Sequence, residues 1–323
     1  MDMSDKTETP VVHAMGVKNL PTPQLYPNPH NPRMLFDKLP LDTLRESIKR
    51  VGILVPLTVY RDSGRKRYVI LDGQRRWICA KEIGIKQVPV NLVAEPSLVQ
   101  NIVTMFQIHK LRADWELMPT ALKVELLMKE IDDRNNERLA ELTGLDEAMI
   151  VRCKKLTSYD KTFQDMMLDP NPEKRIKSDF FIELYPVIHD RDVIQFAWFS
   201  RAKFIRQMLS KYLEEPRTVK AVTDFRLVKQ HITNARRINA IDRFSARLKD
   251  FAEIHDTPLE HLEIEEANVH AEAKTITKRL DGLRDLFINL DVQAFYGEEE
   301  LWQATTSLIE VLEGKLKEAD KRR

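Results

Sequence analysis

Residues 72–77 read Asp-Gly-Gln-Arg-Arg-Trp and set two adjacent guanidinium groups just behind a glycine, at the start of a helical pattern. That pattern runs from about Gly73 to Ile83 and stops at Gly84. A helix N-terminus carries about half a positive elementary charge, so a cation there costs roughly 0.3–1 kcal/mol at an exposed site. An anion at the same place offsets that cost. Free first-turn N–H groups, a glycine that admits a ligand to the backbone, and forked guanidinium donors together suit a phosphate. The alternative is local, with Arg75 and Arg76 paired to Asp72, Glu82 or another carboxylate of the chain.

The surrounding pattern supplies elements to hold such a turn. "PLTVY" (56–60) and "RYVILDG" (67–73) read as strands joined by a turn at Gly64, and "KQVPVNLV" (86–93) reads as a third. Ahead of them, Leu41, Leu44, Ile48 and Val51 recur at helical spacing up to Gly52, and Thr43 with Glu46 fits a capping box. Residues 33–95 therefore read as a small α+β module. The segment 1–19 reads as disordered, and the prolines at 21, 23, 27, 29 and 32 continue it as an extended arm.

After Pro96 the pattern is helical throughout. Residues 136–157 fit a helix–turn–helix: Ala140 where two helices cross, Gly144 at the turn, Ile150 packing the second helix onto the first. The second helix carries Arg152, Lys154 and Lys155 in its latter half, with Thr157 and Ser158 beyond, as candidate contacts to DNA. A helical hairpin packed against protein fits the same residues. Pro186 and Pro216 are expected to interrupt the helices beyond Ser178. Ile276, Leu280, Leu283, Phe287 and Leu290 form a stripe, repeated by Leu301, Leu308 and Leu312, suited to a hairpin packed on itself or to a dimer seam.

A net charge of +1 conceals an uneven distribution. Residues 33–90 carry a balance of +7, residues 201–247 one of +8, and residues 246–323 one of −7. Basic segments are candidate polyanion surfaces, or ordinary solvated faces. Cys79 and Cys153 are too far apart for metal-type spacing and suit a reducing compartment. No apolar run approaches the ~18 residues of a membrane span, and the first residues lack a signal-peptide core. The expected location is the cytoplasm, and no membrane partner is expected.

The order "NPR…FD", "LRESIKRVGILVPLTV", "YVILDGQRRWICAKEIGIKQVPV" resembles the N-terminal domain of the ParB partition family. That family's Gly-Glu-Arg-Arg box, its following Ala, its Gly stop and its Val-Pro-Val strand are matched by Gly73, Arg75, Arg76, Ala80, Gly84, Val88, Pro89 and Val90. Pro32 with Arg33 and Gly52 with Pro56 match its earlier boxes, and the likeness covers about residues 20–160. The resemblance implies a ParB/sulfiredoxin-like α+β domain followed by helices with a helix–turn–helix, and recognition of a palindromic double-stranded DNA site by a homodimer. It also implies CTP with its phosphates at the arginine box, a ParA-type ATPase as partner, and nucleoid association. The phosphate site would then comprise Arg33, Gly52, Gly73, Gln74, Arg75, Arg76, Gln107 and Lys110.

The departures are chemical. Gln74 replaces the glutamate of the box, and Val55 a glutamine. The family's Glu-Asn-x-x-Arg box falls at Phe106–Lys110, where Phe106 supplies no oxygen for the Mg²⁺ that the family binds. No metal ligand and no catalytic residue is therefore assigned, and hydrolysis of CTP is the rival reading. A second rival is a transcription regulator or defence component on the same scaffold. Sulfiredoxin's catalytic cysteine occupies the position of Gln74, whereas Cys79 lies inside the helix and reads as a small buried hydrophobe. The expected domains are 20–97 (ParB-like), 98–178 (helical, with the helix–turn–helix), 179–250 (basic, helical) and 251–323 (acidic, helical, oligomerising).

Overall fold

The computed structural model describes residues 14–31, 38–109 and 116–321. Contacts divide the chain into two units, residues 1–226 and 227–323.

In the first unit, β1 (Ala14–Pro21), β2 (Leu25–Pro27), β3 (Leu57–Asp62), β4 (Arg67–Asp72) and β5 (Gln87–Val93) make one mixed sheet in the order β1-β5-β3-β4-β2. Strand β1 runs antiparallel to β5, β3 antiparallel to β4 and parallel to β5, and β2 parallel to β4. The three strands read from the sequence are the central ones, whose β-branched side chains are buried: Val59, Val69, Ile70, Val88 and Val90 are at most 1% exposed. The two edge strands correct the sequence reading. Residues 14–19, expected to be disordered, pair with residues 89–93, and the proline-rich arm contributes β2. Prolines sit at the ends of both added strands, as the missing N–H allows at an edge.

Helix α1 (Lys38–Val51) precedes β3, and α2 (Gln74–Glu82) joins β4 to β5. Thr43 lies inside α1, so the expected capping box does not open it. Next come α3 (Leu98–His109), α4 (Leu117–Glu130), α5 (Asn136–Thr143), α6 (Glu147–Thr157), α7 (Lys161–Met167), α8 (Ser178–Ile188) and α9 (Arg201–Leu213). Helix α4 packs along α6, and α3 touches both α4 and α5. Tyr159, Phe163, Phe180, Phe181 and Phe225 interlock edge-to-face or tilted at 5.1–6.4 Å between centroids. Pro186 does not interrupt α8; it stands in the last turn, where few intrahelical bonds remain to be lost.

Helix α10 (Asp224–Arg237) carries the boundary between the units, and α11 (Ile241–Glu253), α12 (Glu265–Ile288) and α13 (Glu299–Asp320) complete the second. Phe244, Leu248, Phe251, Leu262 and Ile264 form its buried centre. Of α12 only Ala267 is buried, and of α13 no residue is. The apolar stripe of these two helices stays partly open to solvent: Ile276, Leu280, Leu283, Leu308 and Leu312 are 37–50% exposed.

Candidate functional site

Strand β4 ends at Asp72, and Gly73 turns the chain into α2 with φ +93°, in the left-handed region. A side chain there would be strained, and it would also collide. An added Cβ would lie 2.9 Å from Leu57 Cγ and 3.0 Å from Arg76 Nη2. No side chain caps the first turn of α2, and no acid lies within it. A glycine at the N-cap and no acid in the turn give it the form that suits an anion.

Arg76 is held by the protein's own acceptors. Its Nη2 donates to Asp72 Oδ2 at 2.9 Å, and its Nη1 donates to the carbonyls of Pro56, at 3.1 Å, and of Val55. Both partners of the ion pair are mostly buried, at 16% and 18% side-chain exposure, and the i,i+4 spacing brings them together. The local pairing kept open for the arginine box is therefore realised at Arg76, with Asp72 as partner rather than Glu82. Glu82 instead accepts from Arg45 at 2.9 Å. Asp72 Oδ1 is a buried acceptor without a hydrogen bond. Arg75 is half-buried on α2. Gln74 accepts from Asn31 Nδ2 at 2.8 Å. Trp77 anchors the same turn, its indole N–H donating to the Thr22 carbonyl at 3.1 Å.

The remaining residues of the expected site are distributed. Gly52 ends α1 with φ +73°, its N–H donating to Ile48, and the loop that follows is drawn to α2 through Arg76. Gln107 stands exposed near the end of α3. Arg33 and Lys110 lie outside the described residues. Phe106 is 1% exposed, a core side chain with carbon alone to offer. Asp72, the carboxylate at the turn, spends one oxygen on Arg76. Among the described residues, the start of α2 suits an anionic group, and Asp72, already engaged by Arg76, is the carboxylate nearest in sequence that could serve an oxygen-seeking ion such as Mg²⁺.

The helix–turn–helix pattern is built by local signals. Asn135 accepts from Arg138 N to cap α5, Gly144 turns the chain with φ +73°, and Asp146 accepts from Met149 N at 2.6 Å to cap α6. Leu139, Ile150, Cys153 and Leu156 are fully buried. The candidate DNA contacts are engaged within the protein. Arg152 pairs with Asp179 at 2.6 Å, and Lys154 donates to the Arg134 carbonyl and to Asn136 Oδ1. Lys155 sits 5.5 Å from the centre of the Tyr185 ring. The Thr157 hydroxyl donates to the Lys154 carbonyl and that of Ser158 to Lys155. Burial, assisted by Arg134, lowers the Lys154 pKa from its ordinary value. The outward positions of α6 are Glu147, Ala148 and Val151.

Sequence reasoning passed over Asn28, Asn31, Asn101 and Lys123, which tie the arm to the helices. The signal was available, since the run Asn-Pro-His-Asn-Pro at 28–32 is turn chemistry.

Both cysteines are buried. Burial pushes the Cys79 thiol up, and it pushes Cys153 up to about 12. At pH 8 both thiols are protonated in the folded chain, so neither is a nucleophile. The native protein is expected to leave Ellman's reagent unreduced on the minutes timescale, and to release two equivalents of chromophore once guanidinium unfolds it. A rapid single equivalent from the folded chain would refute this.

A mixed sheet with a glycine-opened, arginine-bearing helix is thus followed by two helices joined at Gly144. Residues 6–106 match the ParB N-terminal domain family. The chain is 30% identical over 171 residues to the stage 0 sporulation protein J of Bacillus subtilis, covering 52% of this chain and 55% of that protein. It is 27% identical over 161 residues to the chromosome-partitioning protein ParB of Caulobacter vibrioides, at 47% and 50% coverage. It is 28% identical over 155 residues to a nucleoid occlusion protein of Geobacillus kaustophilus, at 47% and 53% coverage. The N-terminal part of this chain is thus similar to ParB-type proteins, and the chain spans about half the length of the curated relatives it matches. Among solved structures, truncated Caulobacter crescentus ParB complexed to the centromeric parS site is 20% identical, with TM-score 0.41, covering 66% of this chain and 98% of that one. The same protein complexed with CTP-γ-S is 24% identical, with TM-score 0.28, covering 53% and 92%. No helix among the described residues is long and apolar enough to cross a membrane.

Proposed function

We propose that this chain is a ParB-type, site-specific DNA-binding protein of a partition system, with a nucleotide triphosphate, CTP in the first instance, seated at the start of α2. The observation that carries this reading is the uncapped, glycine-opened first turn of α2 with Arg75 beside it, in a segment matching the ParB N-terminal domain. Backbone N–H groups of Gln74 and Arg75 and the Arg75 guanidinium supply donors for phosphate oxygens. Arg76 shapes the pocket floor by holding Asp72 and the loop at 55–56, and reaches phosphate only by giving up those acceptors. Gln107, Lys110, Arg33 and Gly52 complete the proposed phosphate side.

Double-stranded DNA is the proposed partner of α5 and α6, with Arg152, Lys154, Lys155, Thr157 and Ser158 flanking the reading face as backbone contacts. Each phosphate so neutralised adds close to one unit to the slope of log affinity against log salt. A palindromic site implies a homodimer, and the exposed apolar stripe of α12 and α13 offers its seam. A ParA-type ATPase is the proposed further partner, and the nucleoid the proposed location. A second reading, regulation or nucleoid occlusion rather than partition, is favoured by the nucleoid occlusion proteins among the relatives.

Labelled CTP, ATP and GTP are titrated into the wild type, Arg75→Ala and Arg76→Ala, with and without DNA selected from the source genome. CTP is expected to bind the wild type and to lose about tenfold or more affinity in Arg75→Ala, the loss of one charge-assisted contact. Because Phe106 replaces an oxygen ligand, EDTA is expected to leave that affinity within about twofold and CTP turnover at background. Equal binding by the wild type and Arg75→Ala would overturn the site.

A further inference from the structure

Residues 28–31, Asn-Pro-His-Asn, form a turn whose polar groups are claimed from four directions. Within the turn, Asn28 Oδ1 accepts from His30 N at 2.9 Å, and Asn31 N donates to the Asn28 carbonyl at 3.1 Å. Toward α3, Asn28 Nδ2 donates to Asn101 Oδ1 at 2.7 Å, and Asn101 Nδ2 donates to the Tyr60 hydroxyl at 3.2 Å, which roots the turn in the sheet. Toward α2, Asn31 Nδ2 donates to Gln74 Oε1 at 2.8 Å. Toward α4, Lys123 Nζ donates to the Pro29 carbonyl at 2.9 Å. Asn28, Asn31 and Asn101 are 4%, 8% and 3% exposed. Buried amides held in this way rigidify their surroundings, because leaving one unpaired is costly. Burial also lowers the Lys123 pKa, in keeping with an ammonium group withdrawn from water to reach that carbonyl.

The connections run in series. Gln74 is the first residue of α2, the element proposed to meet the ligand. Helix α4 is the support against which α6 packs. One four-residue turn therefore touches the start of the ligand helix and the scaffold of the helix–turn–helix, although 49 positions separate Gln74 from Lys123 in the sequence.

We propose that residues 28–31 are a clasp in which Asn31 and Lys123 act as positioning residues, fixing the first turn of α2 and coupling it to α4. The clasp exists independently of any ligand; its regulatory use rests on the nucleotide reading given above. A change at Gln74 reaches α4 through Asn31, the turn and Lys123, and a change at α4 returns by the same groups.

The test is amide hydrogen exchange on the full chain without ligand, comparing the wild type, Asn31→Ala and Lys123→Met. Lys123→Met is expected to speed exchange at residues 77–80 of α2 about fivefold, the factor of one ordinary hydrogen bond, and Asn31→Ala to do the same within α4. Lys123→Arg, which keeps a donor, restores the wild-type pattern. Should Asn31→Ala fail to fold, Gln74→Ala opens the same link from its half-exposed end and carries the same expectation. Changes confined to the mutated side, α4 for Lys123→Met and α2 for Asn31→Ala, would overturn the clasp. Saturating CTP is then added. In the wild type it is expected to slow exchange in α2 and onward into α4, and in Asn31→Ala in α2 alone. Absence of any slowing at α2 would end the nucleotide reading, while the ligand-free pattern decides the clasp by itself.

Discussion

Replacing Arg76 with alanine is expected to cost the N-terminal fold about 2–3 kcal/mol, well above the median of about 1 kcal/mol for single substitutions. The substitution removes the donor from one carboxylate oxygen and from two main-chain carbonyls. It leaves the Asp72 side chain, at 18% exposure, mostly out of water and without its ion-pair partner, its other oxygen already lacking a hydrogen bond. Breaking a fully buried pair costs about 3–5 kcal/mol, and the residual exposure here reduces that figure. The measurement is urea unfolding followed by far-ultraviolet circular dichroism, combined in a double-mutant cycle with Asp72→Ala. A coupling of about 1 kcal/mol or more is expected, so that the double variant is more stable than the sum of the singles. Wild-type stability in Arg76→Ala would show that Arg76 holds nothing together.

Gly73→Ala carries the second large effect, and Gly84→Ala is its internal reference. Both glycines have positive φ, +93° and +78°. At Gly84 nothing lies within 4 Å of an added Cβ, so alanine there pays only the conformational term of about 1 kcal/mol. At Gly73 the new methyl group meets Leu57 Cγ at 2.9 Å and the Arg76 guanidinium at 3.0–3.1 Å. Leu57 is fully buried and has no space to yield, so overpacking adds roughly 1–3 kcal/mol. The expected total is about 2–4 kcal/mol, with the CTP binding proposed for this turn lost as Arg76 and the turn are displaced. Thermal unfolding checks the ranking. Gly73→Ala as stable as Gly84→Ala would mean that the turn tolerates a side chain, and the close approach argued for it would fall.

Much of this protein was written in short stretches. The glycine that opens α2 and the glycine that follows it, the turn at Gly144 and the buried Ile150 are all local. Each depends on φ/ψ preference or on contacts within four or five residues, and a linear reading captures such terms. The three central strands were legible for a related reason, since their β-branched runs are long enough to identify themselves.

Other features needed the folded chain. Strand β1 exists because residues 14–21 find β5 more than 60 positions away, and its own composition, with Gly16 and Pro21, argues weakly for a strand. Arg76 was legible as a cation at a helix start, but its acceptors at residues 55–56 come from another loop, so the sequence left open whether it faced a ligand or the protein. The same applies to Arg152, neutralised by Asp179 from 27 positions downstream, and to Gln74, held by Asn31 from 43 positions upstream. A guanidinium or amide reads identically in the sequence whether its partner is a ligand, water or a distant side chain. Which of them it meets is set by pairings whose cost in loop entropy is repaid only when the whole sheet and its helices assemble.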